Sequence, residues 1–542
     1  MPIPFAPSRL RAWSTPALLL LLVGWYGLGT VPYLGDFPRA EWAQMGIAAP
    51  AYQLATTGVY GNDLFEGFYR TEVYNYEYLP LYPLLVSFSF KVFGLGLLQA
   101  RLASVLCGLV TLLLTFYLGR RLYDDTVGLL AVFVLCVVRL GVATDLYGSG
   151  ILLIDLARVI RYDVLVPVFV LGACLLFLWS HARASRTGYV ATGILAGLAT
   201  LSHMYGAFIL AVFGIVLCWQ HGGRMVRSAP PYLILAGWAL ALLPWLLYVL
   251  QDVAAYQGQM LRHQDRFDVF DPRFYMTNLM REVYRYTPWV GPSLRTPVLG
   301  RPGLWVAAVG VPWAARLLWQ RARRTGQASD QLLLVAWPAL SLLLALLLSY
   351  KRYAYLALTL PFLALWLALL LAEIRHGLGP RKRWNRYGFA VLLLILSLEG
   401  GIGMVHAWRQ ARTTTPYTQI ATALQDAIPA GARVLLSQPF WLALADYETR
   451  SINLAFVLSD PRYGLRPART MAEALQAIDP DYVVVERTFL EDYVDDPNRL
   501  PWPRHQWSEF GASLKLFCRS LLTTIRTPDY GDVLVYGCGS TP

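Results

Sequence analysis

Three short clusters of ionisable residues stand out because each lies against a long apolar run. The first is Asp36, in Gly35-Asp36-Phe37-Pro38, just after the apolar stretch Trp13–Tyr33. A carboxylate at a membrane boundary is readily desolvated, which raises its proton affinity and makes it a stronger base, provided a nearby cation or donor keeps it ionised. The second is Ala157-Arg158-Val159-Ile160-Arg161-Tyr162-Asp163. Charges this close to hydrocarbon are costly and mark functional sites. On a helix Arg158 and Arg161 would share a face and Asp163 would be displaced from it. Asp163 then faces the bundle while the arginines reach a phosphate; the alternative is an ion-pair cluster that anchors the helix. The third is Tyr350-Lys351-Arg352-Tyr353-Ala354-Tyr355. A guanidinium forks onto phosphate oxygens and an ammonium adds a point charge, although both could instead snorkel to lipid headgroups. His203, in Ser202-His203-Met204-Tyr205-Gly206, reads as a phosphate donor, a metal ligand or a structural histidine.

The elements that must position these residues are transmembrane helices. The 542 residues are 56% hydrophobic and 15% charged, against about 45–50% and about 25% for soluble domains. Candidate spans fall at about 14–32, 102–119, 127–144, 163–180, 188–202, 204–220, 232–250, 299–317, 332–349, 354–374 and 387–406. The first is long enough to cross the bilayer and is followed by more spans, so it reads as a retained helix and not as a removable signal. With Arg9 and Arg11 cytoplasmic, alternate loops carry Arg120/Arg121, Arg183/Arg186, Arg224/Arg227, Arg316–Arg324 and Arg375–Arg386. Every short basic loop then lies inside, and shifting the count by one span would scatter them. The net charge of +12 is thereby topology and attraction to anionic lipid, with no nucleic-acid partner implied.

The clusters named above share the outer end. So do the loop 33–78, with Glu41 and a run of tyrosines, the polar loop 251–298, and Leu79–Gly96, whose prolines and Lys91 suit an interfacial or re-entrant helix. A loop as long as 33–78 in a compact bundle is commonly functional. After residue 410 the composition changes. Strands are expected at Ala432–Ser437, Ile452–Leu458, Asp481–Arg487, Leu514–Arg519 and Asp532–Gly537, with helices at 417–428 and 471–478. The expected architecture is a polytopic α-helical membrane domain over 1–410 and a small periplasmic α/β domain over 411–542. The six cysteines show no metal spacing; Cys518 and Cys538 could pair.

The order of Asp36, Tyr78-Leu79-Pro80-Leu81-Tyr82-Pro83, Phe93-Gly94, Ala100-Arg101-Leu102-Ala103-Ser104 and Gly119-Arg120-Arg121-Leu122-Tyr123 resembles the GT-C membrane glycosyltransferases, nearest to glycosyltransferase family 39. Arg158–Asp163 looks like that family's second acidic motif, and Arg352-Tyr353 with Pro361 like its later Arg-Tyr…Pro stretch. The resemblance covers about residues 14–405. It implies a polyprenyl-phosphate sugar donor and an acceptor hydroxyl (lipid, glycan or protein) outside the inner or plasma membrane. Asp36 would be the catalytic base and Asp163 a second acid. Arg158, Arg161, Lys351 and Arg352 would contact phosphate, with Tyr353, Glu41 and His203 also lining the substrate site. Asp36 is followed by Phe37, not by the second acid many members carry, and no Trp-Trp-Asp triplet occurs. The carboxylates form no recognisable metal set, so no required divalent metal is expected. A transporter of lipid-linked sugar would place charges mid-membrane in two related halves, and a glycan ligase would carry its large outer loop late in the chain. Neither pattern is present.

Overall fold

A computed structural model describes residues 9–140, 148–266, 268–286, 302–376, 382–463, 470–491, 504–518 and 520–538. A helix stands at each of the eleven expected spans. Residues 141–144 of the third and 299–301 of the eighth lie outside the described residues, as do 287–298 of the outer loop. In chain order the helices needed first are α1 (Arg9–Thr30), α2 (Trp42–Thr57), α3 (Leu81–Phe93), α4 (Leu97–Leu122), α5 (Asp125–Val137), α6 (Leu152–Ala157), α7 (Val166–Arg183), α8 (Arg186–Ser202), α9 (Ile209–His221) and α10 (Ala229–Val249). Among the described residues six helical segments are long and apolar enough to cross a membrane. They leave apolar side chains exposed where lipid would lie, as with Leu246 and Leu247 on α10 and Leu20 and Leu21 on α1. α3 and α5 have 13 residues each, about 20 Å of helix against a ~30 Å hydrocarbon core.

Polar caps set the helix starts. Asp124 accepts the Val127 N–H at 2.9 Å and Ser185 accepts the Gly188 N–H at 3.1 Å. Gly193 and Gly197, one turn apart on α8, lie against Ile234, Trp238 and Ala241 of α10, and Gly237 of α10 against Val190 and Ile194, so closely that a Cβ at any of the three would strike the facing helix. Small residues allow this approach inside a membrane.

The charges segregate to two ends. At one end Arg321 pairs with Asp330 at 2.9 Å and covers the Tyr123 ring at 4.0 Å, beside the Arg120–Asp125 pair. The other end carries Asp36, Asp163, His203 and Lys351. The loop expected over 33–78 is largely ordered and includes α2, whose Gly58 ends it at φ 78°. Helix Val253–Met260 is pinned onto it, Gln259 bonding Tyr69, Tyr74 and Tyr76.

The tail forms a five-stranded sheet of β1 (Arg433–Leu436), β2 (Glu448–Ser451), β3 (Tyr482–Glu486), β4 (Ser520–Thr527) and β5 (Gly531–Gly537), in the order β2-β1-β3-β5-β4. β1 is parallel to both neighbours, while β5 is antiparallel to β3 and β4. Two expected strands are helices. Ile452–Ser459 is a buried helix started by the Ser451 hydroxyl; a short run apolar on every side carries no period to separate the two forms. Leu514 closes the helix Arg504–Phe517, whose Trp507, Phe510 and Leu514 are buried at helical spacing, and the strand begins only at Ser520. Cys518 and Cys538 form a disulfide across the open end of the β4–β5 hairpin.

Candidate active site

Asp36 lies in the tight turn that follows α1, with its N–H and that of Phe37 donating to the Tyr33 carbonyl at 3.1 and 2.8 Å. Two buried arginines hold this turn. Arg101, on α4, donates to the carbonyls of Leu34 (2.9 Å) and Pro38 (2.5 Å), on either side of Asp36. Arg158, expected at a phosphate, donates to the carbonyls of Gly29 (2.8 Å), Pro32 (2.8 Å) and Phe37 (3.3 Å) and covers the Phe37 ring. These bonds make it a clamp on the Asp36 turn. Carbonyl acceptors on its terminal nitrogens are the economical way to bury this arginine, since each N–H needs an acceptor; only its Nε is left without one. Glu41 is half-buried at the start of α2, in electrostatic reach of Arg101, and makes no capping bond with its side chain.

The second acid rests on the same scaffold. Gln44 Oε1 accepts from Arg101 Nε and from the Ile160 N–H, both at 3.2 Å. Tyr82 and Ser104 share a hydroxyl contact at 2.5 Å; Ser104 donates to the Val159 carbonyl at 2.6 Å, and Tyr82 accepts the Arg161 N–H at 3.1 Å. Arg158 and Arg161 do not share a helical face, because α6 ends at Ala157 and Arg161 is extended. Asp163 is fully buried. Its Oδ2 takes Nε and a terminal nitrogen of Arg161 at 2.8 Å, and its Oδ1 takes the Tyr205 hydroxyl at 2.8 Å. The ring of His203 stacks on Tyr205 at 4.0 Å and adjoins Tyr162 and Tyr355. The Tyr205 N–H donates to His203 Nδ1 at 3.3 Å. A backbone N–H can only donate, so Nδ1 is the bare nitrogen and the neutral ring carries its proton on Nε2.

The third cluster divides by role. Lys351, expected at a phosphate, is 6% exposed, pairs with Glu282 at 2.9 Å and donates to the Ala345 carbonyl at 2.7 Å. Burial lowers its amine, and the Glu282 carboxylate opposes that shift. Arg285 bonds the same carboxylate and the carbonyls of Leu344 and Arg352. Tyr353 donates to the Gly150 carbonyl at 3.3 Å. Among the described residues no hydrogen bond or ion pair engages the Arg352 guanidinium, which lies in electrostatic reach of the Tyr162 phenol. Sequence reading gave no site role to Gln44, Tyr82, Arg101, Ser104 or Tyr205, although all but Gln44 stand in the motifs it quoted. A charged Arg101 inside the apolar α4 was the available signal. No group of three or more His, Cys, Asp or Glu side chains converges among the described residues.

Among the described residues the helix bundle thus holds Asp36 and Asp163 at one end, with the small α/β domain against Asp36. Residues 79–248 match the family model of dolichyl-phosphate-mannose-protein mannosyltransferases. No curated protein sequence matches the chain. Among solved structures it is similar to ArnT from Cupriavidus metallidurans bound to undecaprenyl phosphate, with TM-score 0.61, 14% identity, and 99% of each chain covered. It is also similar to the oligosaccharyltransferase AglB from Archaeoglobus fulgidus in complex with an inhibitory peptide and a dolichol-phosphate, with TM-score 0.56, 13% identity, and coverage of 89% of this chain and 70% of that one. At these identities the likeness is one of fold. The family match is confined to residues 79–248, whereas the likeness of fold runs over 99% of the chain.

Proposed function

We propose that the protein transfers a sugar from a polyprenyl-phosphate donor to an acceptor hydroxyl at the outer face of the membrane, with inversion at the anomeric carbon. The observation that carries this reading is the shared scaffold: Gln44 bonds both the arginine that holds the Asp36 turn and the segment that leads to Asp163. Asp36 takes the acceptor's proton as the acceptor oxygen bonds the anomeric carbon. The bond from that carbon to the phosphate oxygen breaks, and the electron pair leaves with the polyprenyl phosphate. In this reading the Arg352 guanidinium and the His203 Nε2–H take up the charge of the departing phosphate. A lipid phosphate is already a usable leaving group, so no acid is needed to protonate it, and alignment with fixed charges supplies most of the rate. Asp163 is committed to Arg161 and Tyr205 and acts by holding the phosphate-side wall and any sugar hydroxyl that reaches it. The segregated basic loops support a cytoplasmic N-terminus and an outward tail.

The test is transfer by the purified protein in lipid nanodiscs from a panel of radiolabelled polyprenyl-phosphate sugars. Asp36→Asn is expected to lower turnover about 10²-fold or more, the span of a general base. Undiminished transfer by that variant would remove the base assignment, and no transfer from any donor would favour a carrier of lipid-linked sugar.

A further inference from the structure

Residues 36–40 are held from two sides, and the second side is the tail. Arg101 takes the carbonyls of Leu34 and Pro38 from within the bundle. From outside, the Tyr417 N–H donates to Asp36 Oδ1 at 3.1 Å, at the start of the helix Tyr417–Ala427. The remaining contacts arise at one place, the turn between β4 and β5. Tyr530 accepts the Ala40 N–H at 2.7 Å, and Arg39 donates to the Asp529 carbonyl while its guanidinium lies over the Tyr530 ring. The Asp529 carboxylate accepts the N–H of Thr415, two residues before Tyr417. The same turn therefore orders both the catalytic loop and the stretch of tail that touches its carboxylate.

A turn that merely faced water would not bury a tyrosine at its tip, yet Tyr530 is 4% exposed and packs on Phe440 at 5.7 Å. The hairpin is also tied off at its far end, where Cys518 and Cys538 join just outside the Ser520–Gly537 pair. Two paired strands closed by a covalent link form a stiff arm, and the arm ends on the Asp36 loop.

We propose that the β4–β5 hairpin is the positioning element of the base, with Tyr530 a positioning residue that acts on Asp36 through Ala40, Arg39 and the Thr415–Tyr417 stretch. This rests on the reading of Asp36 as the base. The tail thereby takes part in turnover without touching the sugar. One effect follows from releasing it. The carboxylate loses its fixed place, where a shift of ~1 Å costs about 10²-fold.

The experiment compares wild type with Tyr530→Phe, which keeps the ring and removes one oxygen, in the full-length chain in nanodiscs. Hydrogen–deuterium exchange is followed over residues 33–45. kcat and donor KM are measured with whichever polyprenyl-phosphate sugar is transferred. Faster exchange at 33–45 is expected, with kcat down about tenfold and KM within about twofold. Unchanged exchange would overturn the proposal, as would faster exchange with kcat unmoved. The pair Cys518→Ser/Cys538→Ser opens the arm from its other end and is expected to give the same signature, which decides the matter should Tyr530→Phe fold poorly. Full transfer by Asp36→Asn would remove the base reading alone, because the exchange measurement still decides whether the hairpin holds the loop.

Discussion

Tyr205 makes the most informative single contact in the cluster around Asp163. Its hydroxyl satisfies Oδ1 of a fully buried carboxylate whose other oxygen is taken by Arg161. Hydrogen bonds to charged groups contribute about 1.5–3 kcal/mol, and a buried acceptor left without its donor adds a desolvation penalty. Tyr205→Phe keeps the stack on His203 and deletes that donor. It is expected to lower kcat/KM for the lipid-linked donor about tenfold or more, on the scale of 1.4 kcal/mol per factor of ten, with the fold intact; steady-state kinetics beside a melting curve check it. At this scale the sequence did not divide its arginines by role. Arg158 and Arg352 read alike as phosphate contacts, yet one is bonded to three carbonyls and the other has no such partner among the described residues. Spacing shows that a charge is near the membrane; which oxygens meet it depends on segments more than a hundred residues away.

Among the elements, the outer segment 272–286 is fastened to the loop 345–353 by one buried charge network. Glu282 receives both Arg285 and Lys351, and Asn278 bonds the Leu346 carbonyl at 2.9 Å. Removing one partner of such a network leaves a charge without its counterion, at a cost of about 3–5 kcal/mol when fully buried. Part of that is regained here because Glu282 is partly exposed. Glu282→Gln is expected to speed proteolytic nicking of 272–286 and to raise the donor KM several-fold through a disordered Arg352. Limited proteolysis and kinetics read the two effects, and an unchanged KM with faster nicking would separate the fastening from the site. Sequence periodicity located the long helices because twenty apolar residues admit few other structures in a bilayer. It failed at Ile452–Leu458, where a short apolar run fits a buried helix as well as a strand.

Across the whole molecule, the tail and the bundle share one continuous core, joined by contacts such as Trp42 on Phe489 and Tyr52 on Trp441. Near that junction Glu486 is buried at the end of β3, and burial pushes its carboxyl up to about 7, with Ser437 and Arg39 opposing. The folded state therefore keeps a proton that the unfolded chain releases near the ordinary value of 4.5. Stability from this group is present below that value, falls as pH rises toward 7, and is level above. The fall amounts to roughly 3 kcal/mol between 4.5 and about 7, at about 1.4 kcal/mol per pH unit. Glu486→Gln is expected to flatten it, which apparent melting temperatures between pH 4.5 and 7.5 would show.

The sequence by itself determined that this chain crosses a membrane many times, which loops share a side, and that two acids stand at one boundary. Those properties follow from local composition, since hydrocarbon excludes charge one segment at a time. Only the tertiary structure decided that Arg101 and Arg158 hold the Asp36 turn, that Asp163 is bound to Tyr205, and that a hairpin some 490 residues beyond Arg39 and Ala40 grips their loop. Such contacts depend on which distant atoms chain folding brings within hydrogen-bond reach, and no local pattern of residue types encodes that.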